Sequence, residues 1–197
     1  MPAGPTQLEG GRVAEALNNA MPGIVTTSND EWVEVDSMRL GEALHWLHDS
    51  SEFDAAQLSN LCGVDYHDHF AMVYYLQSLD RNHQIVVKAR VADHEAPALP
   101  SAYPVYKGAL LQEREVFDLM GINFEGHPDM RRIFLWDGFP GHPLRKDFLG
   151  IGEGLTSGLR RFPFENKENP DRLLNRDNII PDPSQEVPDG WTGAAPA

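Results

Sequence analysis

The chain has 197 residues, of which 41% are hydrophobic and 23% charged, and its formal net charge is −14. This acidity excludes the class of nucleic-acid-binding proteins, because attraction to phosphate requires a basic surface, and it disfavours direct adhesion to anionic lipid headgroups. The sequence contains no apolar run of about eighteen residues and no secretory or organellar import pattern. We therefore expect the protein to stay in the compartment where it is made.

Cys62 is the only cysteine, which excludes an internal disulfide and an iron–sulfur cluster held by thiolates of this chain alone. It has no basic neighbour in sequence, so we expect a small buried apolar side chain and not a reactive thiol. The sequence also lacks a glycine-rich dinucleotide loop, a phosphate loop and a Gly-x-Ser-x-Gly elbow. We expect no catalytic residue, metal site or cofactor site in this chain.

Two helices that flank a β-hairpin are predicted for the first quarter of the chain. Thr6 and Glu9 have the spacing of a capping box, which is a common helix start. A polar turn between two short apolar segments is typical of a β-hairpin, and Asp36 or Ser37 is placed to cap the second helix. The expected bounds are residues 6–20 and 36–48 for the helices and residues 24–27 and 32–35 for the strands.

The clearest sheet signal is a second hairpin. Residues 70–79 are apolar on both faces, a pattern typical of a central strand that is covered from both sides. After a polar turn, residues 84–91 alternate strictly between apolar and polar side chains, which indicates a strand with one buried face. The two segments are therefore expected to pair as neighbouring antiparallel strands.

Downstream of this hairpin, the sequence predicts a loop over residues 94–104 and a helix over residues 108–120 that ends at Gly121. Together these elements predict an α+β fold, with a small mixed or antiparallel sheet and flanking helices, over residues 1–149. Residues 150–197 have too few apolar side chains for a second core. We expect them to form an extended arm laid across a partner, with a disordered tail as the alternative.

The helix predicted over residues 108–120 carries a carboxylate, Glu113, in the middle of its apolar face. Because a buried unpaired charge is strongly destabilising, we expect an ion pair between Glu113 and a cation of the following loop. Arg114 and Asp118 are one helical turn apart and are expected to pair with each other. The alternative is that Glu113 or Glu115 acts as a general acid or base. The candidate cations are Arg131, Arg132, Arg145 and Lys146.

Histidines occur in one metal-like cluster and in two loop motifs. In residues 65–69, with the sequence DYHDH, a strand would place His67 and His69 on the same side, as a two-ligand site requires. The spacing marks no third or fourth ligand, so we expect no metal site. His127 and His142 each precede a proline and are expected to donate hydrogen bonds that fix a turn.

Two long blocks resemble the signature of the 30-kilodalton subunit family of respiratory complex I. The first block is EREVFDLMGINFEGHPDMRRI at residues 113–133, and the second is GHPLRKDF at residues 141–148. Their order and spacing are those of the family, and weaker similarity extends upstream to about residue 55. The chain departs from the family's usual pattern at residues 101–107 and 136–139, which affects the neighbouring contacts and the electron donor that the resemblance implies.

The resemblance implies an α+β domain that binds no cofactor and packs against the large, 49-kilodalton-type subunit near the quinone cavity of the complex. It implies that NAD, FMN, iron–sulfur clusters and quinone are bound by other subunits, and that the complex oxidises NADH, reduces quinone and translocates protons. The chain would be a peripheral subunit on the cytoplasmic side of a bacterial membrane, attached only through the complex. Its C-terminal arm would lie over neighbouring subunits.

A structural or subunit-interface role is expected for residues of the two blocks. Because the blocks are locally basic on an acidic chain, their interface is expected to be sensitive to salt. The alternatives are the equivalent subunit of a membrane-bound hydrogenase or of a ferredoxin- or coenzyme F420-dependent dehydrogenase, and a soluble hydrolase that uses Glu113 and a histidine. The expected interface residues are Glu113, Arg114, Glu115, Asp118, Gly121, His127, Pro128, Arg131, Arg132, His142, Pro143, Arg145, Lys146 and Asp147.

Overall fold

The computed structural model describes residues 4–139 and 141–148, and in this part of the chain a six-stranded mixed sheet lies at the centre of the fold. A further pair of short parallel strands lies beside it. The strands are β1 (Thr6–Gln7), β2 (Val25–Ser28), β3 (Val33–Val35), β4 (Gln57–Asp65), β5 (Phe70–Ser78), β6 (His83–Val91), β7 (Ala98–Pro100) and β8 (Asn123–Glu125). The helices are α1 (Gly10–Ala20), α2 (Leu40–Asp49) and α3 (Ala109–Met120), and a 3-10 turn (Ser37–Arg39) precedes α2.

The main sheet has the order β2-β3-β6-β5-β4, and β1 also pairs with β6. β5 is antiparallel to both β4 and β6, whereas β3 and β1 run parallel to β6. The two predicted hairpins are confirmed as β2–β3 and β5–β6. The predicted α+β class with a small mixed sheet is confirmed as well.

The core lies between the sheet and the helices, on one face of β5. Phe70, Met72 and Tyr74 alternate along β5 and are fully buried on this face. They belong to one apolar cluster with residues of α1, α2 and α3. α3 approaches β4 closely at Gly63, where a Cβ atom would lie 2.6 Å from Sδ of Met120. A larger residue at this position would therefore require the end of the Met120 side chain to move.

The predicted capping box at the N-terminus is wrong. The N–H groups of Thr6 and Leu8 donate to the carbonyls of Asn82 and Gln84, both at 2.9 Å, so this segment forms β1. α1 begins after it, without a hydrogen bond from a side-chain cap. Pairing with a strand that is distant in sequence therefore overrides the local helix signal.

Three other predictions need correction. The second face of β5 is only partly covered among the described residues: Ala71 and Val73 are buried but lie outside the main core cluster, and Tyr75 is half-buried. The predicted loop over residues 94–104 contains β7, which pairs with β8. Asp36 accepts a hydrogen bond from the N–H of Met38 and caps the 3-10 turn, not α2 itself. Neither β4 nor β8 was predicted from the sequence.

The predicted boundary at residues 149 and 150 and the predicted arm over residues 150–197 lie outside the described residues. The prediction of an extended arm therefore stays a prediction. Within residues 4–139 and 141–148, no helix has the length and apolar character needed to cross a membrane.

Candidate functional site

The candidate site is α3 together with the segment that folds over it, residues 126–139 and 141–148, which we call the cover segment. All the interface residues predicted from the sequence belong either to α3, to its C-terminal cap at Gly121 or to the cover segment. α3 and the cover segment are joined mainly by hydrogen bonds that involve charged side chains and histidines. The partners differ, however, from those that the sequence predicted.

Glu113 is fully buried, as its position on the helix predicted. Its carboxylate accepts hydrogen bonds from the hydroxyl of Ser101 and from the N–H of Ala102, both at 2.6 Å. Among the described residues the nearest basic group is Nε2 of His127 at 4.0 Å, and no arginine or lysine lies within ion-pair distance. The predicted ion pair between Glu113 and a loop cation is therefore wrong.

The environment of Glu113 favours its protonated form. Burial raises the pKa of Glu113 to about 7, although the hydrogen bonds from Ser101 and Ala102 act in the opposite direction. The hydroxyl of Tyr74 is also buried and has no hydrogen-bond partner among the described residues. Burial raises the pKa of Tyr74 well above its usual value, and the charge of Glu113 raises it further. Among the described residues, this part of the core therefore contains polar groups but no cation that neutralises them.

Asp118, on the same helix, is also fully buried but has a complete set of donors. Its Oδ2 accepts hydrogen bonds from the N–H groups of Ile133, Phe134 and Leu135 at 3.0, 2.8 and 2.9 Å. Its Oδ1 lies 3.0 Å from Nη1 of Arg132. Burial alone would raise the pKa of Asp118, but these four hydrogen bonds lower it below its usual value. Asp118 therefore stays ionised and holds the cover segment against α3.

Arg114 does not pair with Asp118, so this second sequence prediction is also wrong. The Arg114 guanidinium donates to the carbonyls of Arg131 and Arg132, at 2.9 and 3.0 Å. It lies 3.8 Å from the carboxylate of Asp129. Arg114 and Asp118 thus hold the same loop from two sides, one by donating to carbonyls and the other by accepting from N–H groups.

His127 and His142 donate hydrogen bonds, as predicted, but the acceptors are backbone carbonyls of α3 and not groups of a turn. Nδ1 of His127 accepts from the N–H of Asp129, so its Nε2 carries the proton and donates to the carbonyl of Leu110 at 3.0 Å. Nδ1 of His142 lies 2.9 Å from the carbonyl of Asp118, which requires a proton on that nitrogen. The histidines therefore tie the cover segment to both ends of the helix.

Gly121 serves both the helix end and the His142 contact. Its φ of +76° is in the left-handed region, where a Cβ atom is unfavourable. A Cβ atom at Gly121 would also lie only 2.5 Å from Cδ2 of the His142 ring. A glycine is therefore required here for two independent reasons.

The far end of the cover segment is attached to the sheet through residues that the sequence did not mark as partners. Arg145 donates to the carbonyl of His94, and its guanidinium lies 5.1 Å from the centre of the Phe70 ring. The N–H of Lys146 donates to Oδ2 of Asp65 at 2.8 Å. Burial would raise the pKa of Asp65, but hydrogen bonds from Lys146, the 65–69 turn and His94 lower it. The sequence gives no signal for these pairs beyond an aspartate that precedes a polar turn.

The metal-like cluster at residues 65–69 is the turn between β4 and β5. His67 has a φ of +72°, and its N–H donates to the side chain of Asp65, so it does not continue a strand. The ring of His69 stacks on Tyr66. Among the described residues, no group of three or more potential metal ligands lies close together. His67 and His69 therefore lie in a turn and not on a strand that would place them on the same side.

The cover segment has large apolar side chains on its surface. The side chains of Phe134 and Leu144 are 64% and 58% exposed. Glu115 faces the solvent, as expected from the helix projection. Arg131 is exposed and pairs with Asp129 within the same loop. Among the other predicted interface residues, Pro128, Lys146 and Asp147 are exposed and Pro143 is half-buried.

Known proteins share this sequence over different fractions of their length. The sequence profile of the family described as "Respiratory-chain NADH dehydrogenase, 30 Kd subunit" matches residues 33–153. The C-type subunit of the NADH-quinone oxidoreductase of Maricaulis maris is 42% identical over 142 residues, which cover 71% of this chain and 70% of that protein. The C/D-type subunit of the NADH-quinone oxidoreductase of Phocaeicola vulgatus is 41% identical over 119 residues, which cover 60% of this chain and 22% of that longer protein.

A solved structure shares the fold at lower sequence identity. A chain of the membrane-bound sulfane sulfur reductase, an archaeal respiratory membrane complex, superposes with a TM-score of 0.59 and 20% identity. The match covers 91% of this chain and 97% of that chain. On the evidence of the profile and of the relative from Maricaulis maris, this chain belongs to the family of the 30-kilodalton subunit of the respiratory-chain NADH dehydrogenase.

Proposed function

We propose that the chain is a non-catalytic subunit in the peripheral arm of a proton-translocating NADH:quinone oxidoreductase, respiratory complex I. It docks on the large quinone-site subunit of the 49-kilodalton type and on other neighbouring subunits. NAD, FMN, iron–sulfur clusters and quinone are bound by those other chains. Electrons therefore pass from NADH to quinone without a redox centre in this chain. Family membership is the observation that carries this proposal.

The geometry of α3 and the cover segment supports a cohesive role. Four polar side chains bind backbone groups of the same chain: Arg114, Asp118, His127 and His142. These contacts hold the cover segment in place on α3. A hydrolase that uses Glu113 and a histidine lacks support, because Glu113 and the neighbouring His127 side chain are both fully buried. A substrate would have to enter the core to reach them.

The C/D-type relative supports a large neighbouring chain as the partner. The matched region makes up only 22% of that protein, so a region like this chain is joined there to a much longer one. Regions that are fused in one protein are expected to be neighbours when they are separate chains. In the same proposal, residues 150–197 form an extended arm over neighbouring subunits, and the complex places this chain on the cytoplasmic side of a bacterial membrane.

The names of the relatives favour NADH as the electron donor and quinone as the acceptor. No observation specifically favours the equivalent subunit of a membrane-bound hydrogenase or of a ferredoxin- or F420-dependent dehydrogenase. The sulfane sulfur reductase chain, at 20% identity, bears on the fold alone. The proposal is therefore a complex I subunit.

Deletion and complementation in the native host test this proposal. Membranes from a strain without this chain should lose the NADH:quinone activity that quinone-site inhibitors block, and the full chain supplied from a plasmid should restore it. Complementation with the Asp118→Asn variant should restore less activity than the wild-type chain, because the cover segment is destabilised. Unchanged NADH:quinone activity in the deletion strain would contradict the proposal.

A further inference from the structure

The face of the sheet opposite the helices carries a groove. The groove has a volume of about 410 Å³ and crosses β4, β5 and β6. Its apolar floor includes Val64, Val73 and Tyr75, and Trp32 lines one side. Val73 is almost fully buried although it lies outside the main core cluster. A sheet face this apolar is typical of a surface that another element covers.

Among the described residues, one ammonium group lies in this groove. Nζ of Lys88 is 4.2 Å from the centre of the Trp32 ring. Glu34 is the register partner of Lys88 across the β3–β6 pair, and Glu31 also lines the groove. Nevertheless, within residues 4–139 and 141–148, Lys88 makes no ion pair with either carboxylate. The closest partner of Lys88 is therefore the Trp32 ring, and Glu31 and Glu34 are neighbours outside ion-pair distance.

Any occupant that covers the groove must deal with this charge. Removing the solvent from an unpaired ammonium group is costly, whereas an opposing carboxylate offsets the lost hydration. A purely apolar segment would bury Lys88 with only the Trp32 ring as a close partner. The chemistry of the groove thus favours an apolar segment that also carries a carboxylate opposite Lys88.

We propose that this groove is a docking site for a segment of a neighbouring subunit, with apolar side chains over Val73 and Tyr75 and a carboxylate on Lys88. The inference rests on the proposed function, since it presupposes assembly into a multi-subunit complex. It adds a second contact surface, on the side of the sheet away from the cover segment. The docking surface predicted from the sequence contains none of these residues.

Cys62 offers a direct probe of this groove, because it is the only cysteine of the chain and its half-buried side chain lines the groove. The isolated full chain and the purified complex are treated with iodoacetamide at about pH 8, near the ordinary pKa of a thiol, and the Cys62 peptide is quantified by mass spectrometry. The denatured complex gives the value for complete labelling. We expect labelling to be at least tenfold slower in the complex than in the isolated chain.

Equal labelling of Cys62 in the two states overturns the inference. Protection that is already complete in the isolated chain also overturns it, because residues 149–197 or a second copy would then occupy the groove. If the chain does not co-purify with other subunits at all, the proposed function fails first. The labelling result thus distinguishes failure of the docking site from failure of the proposed function.

Substitution of Lys88 tests whether the partner places a carboxylate opposite it. Lys88→Glu should lower recovery of the chain in the complex at least tenfold, because it places two negative charges opposite each other. Lys88→Met should also lower recovery, since the partner's carboxylate would be left unpaired; recovery equal to or above that of the wild type contradicts a carboxylate on the partner. Arg90→Glu, on the same strand and face but outside the groove, is the matched control and should change recovery less than twofold. The melting temperature of each isolated variant confirms folding.

Discussion

The two buried carboxylates of α3 have opposite electrostatic environments. Glu113, near the start of the helix, has two hydrogen-bond donors and, among the described residues, no cation, and burial raises its pKa to about 7. Asp118, near the end, has three backbone donors and a guanidinium, and its pKa lies below its usual value. Equal burial therefore gives different charge states, because the number of donors decides whether ionisation is favourable.

The comparison also separates two structural roles. The Asp118 end binds the cover segment, so its charge is part of an intrachain contact that joins elements distant in sequence. The Glu113 end joins α3 to the loop after β7, and its two hydrogen bonds do not need a full negative charge on Glu113. We therefore expect charge removal to damage the first site and to be tolerated at the second.

The largest effect is expected for Asp118→Asn. The variant replaces one acceptor oxygen by an N–H donor and leaves Arg132 without its anion, so the free energy of unfolding should fall by about 3 kcal/mol. Urea denaturation of the isolated chain near neutral pH measures this change. Glu115→Gln is the control on the exposed side of the same helix and should change the free energy of unfolding by less than about 0.5 kcal/mol. Equal effects of the two substitutions would show that Asp118 does not hold the cover segment.

The same variant should alter the acid limb of the stability profile. Because the pKa of Asp118 is lowered in the folded chain, its contribution is present above its usual pKa of 3.8 and is lost as the pH falls through the lower, folded-state pKa. Asp118→Asn lacks this group and should show a flatter decline of stability in acid. A parallel decline in wild type and variant would contradict an ionised Asp118.

An effect of at most comparable size, with the opposite dependence on pH, is expected at Glu113. Its pKa is about 7 in the folded chain and close to the usual value of 4.5 in the unfolded chain, so the folded state binds more protons between these values. Its contribution to stability is therefore fully present below pH 4.5 and is lost as the pH rises through about 7, with a maximum change of ~3 kcal/mol. Glu113→Gln should remove this dependence and be more stable than the wild type at about pH 8.

Urea denaturation at about pH 5 and about pH 8, on either side of the folded-state pKa, measures the Glu113 effect. Glu113→Ala provides the comparison, because it leaves Ser101 and the N–H of Ala102 without an acceptor and should be destabilising at both values of pH. If Glu113→Gln is as destabilising as Glu113→Ala at the higher pH, then Glu113 needs its charge, and the contrast with Asp118 fails.

The smallest of these effects is expected for Gly121→Ala, at the Asp118 end of α3. Its φ of +76° and the 2.5 Å approach of the His142 ring should together lower the free energy of unfolding by about 2 kcal/mol. Gly41→Ala within α2 is the matched control, since a Cβ atom there meets nothing within 4 Å; it should stabilise the chain by about 0.5–1 kcal/mol. Thermal denaturation of both variants tests whether the position of the glycine decides if alanine stabilises or destabilises the fold.

The predictable parts of the fold are those with a clear local periodicity. The β5–β6 hairpin and α3 follow from side-chain alternation and from the helical repeat of apolar residues. β4 was not predicted, because a register irregularity after Leu58 and a glycine at position 63 interrupt the alternation. β1 could not be predicted because its hydrogen-bond partners on β6 are distant in sequence.

At the candidate site, the sequence predicted the burial of Glu113 but not the partners of the charged side chains. The helix projection correctly marked Glu113 as buried. The expected partner was a cation of the loop, whereas the observed partners are the hydroxyl of Ser101 and the N–H of Ala102. The partners of Asp118 are three consecutive N–H groups, which carry no sequence signal. Side-chain identity thus indicated where charge is buried, whereas the backbone geometry of the cover segment decided how it is stabilised.

The central claim is that this chain acts as an assembled subunit without a redox centre of its own. The most direct measurement is purification of a tagged, full-length chain from detergent-solubilised membranes of the native host, followed by mass spectrometry of its partners and assay of NADH:quinone activity. We predict equimolar co-purification with a large quinone-site subunit and activity in the complex but not in the separated chain. A chain that purifies alone, or that itself holds a redox cofactor and transfers electrons, would contradict the account.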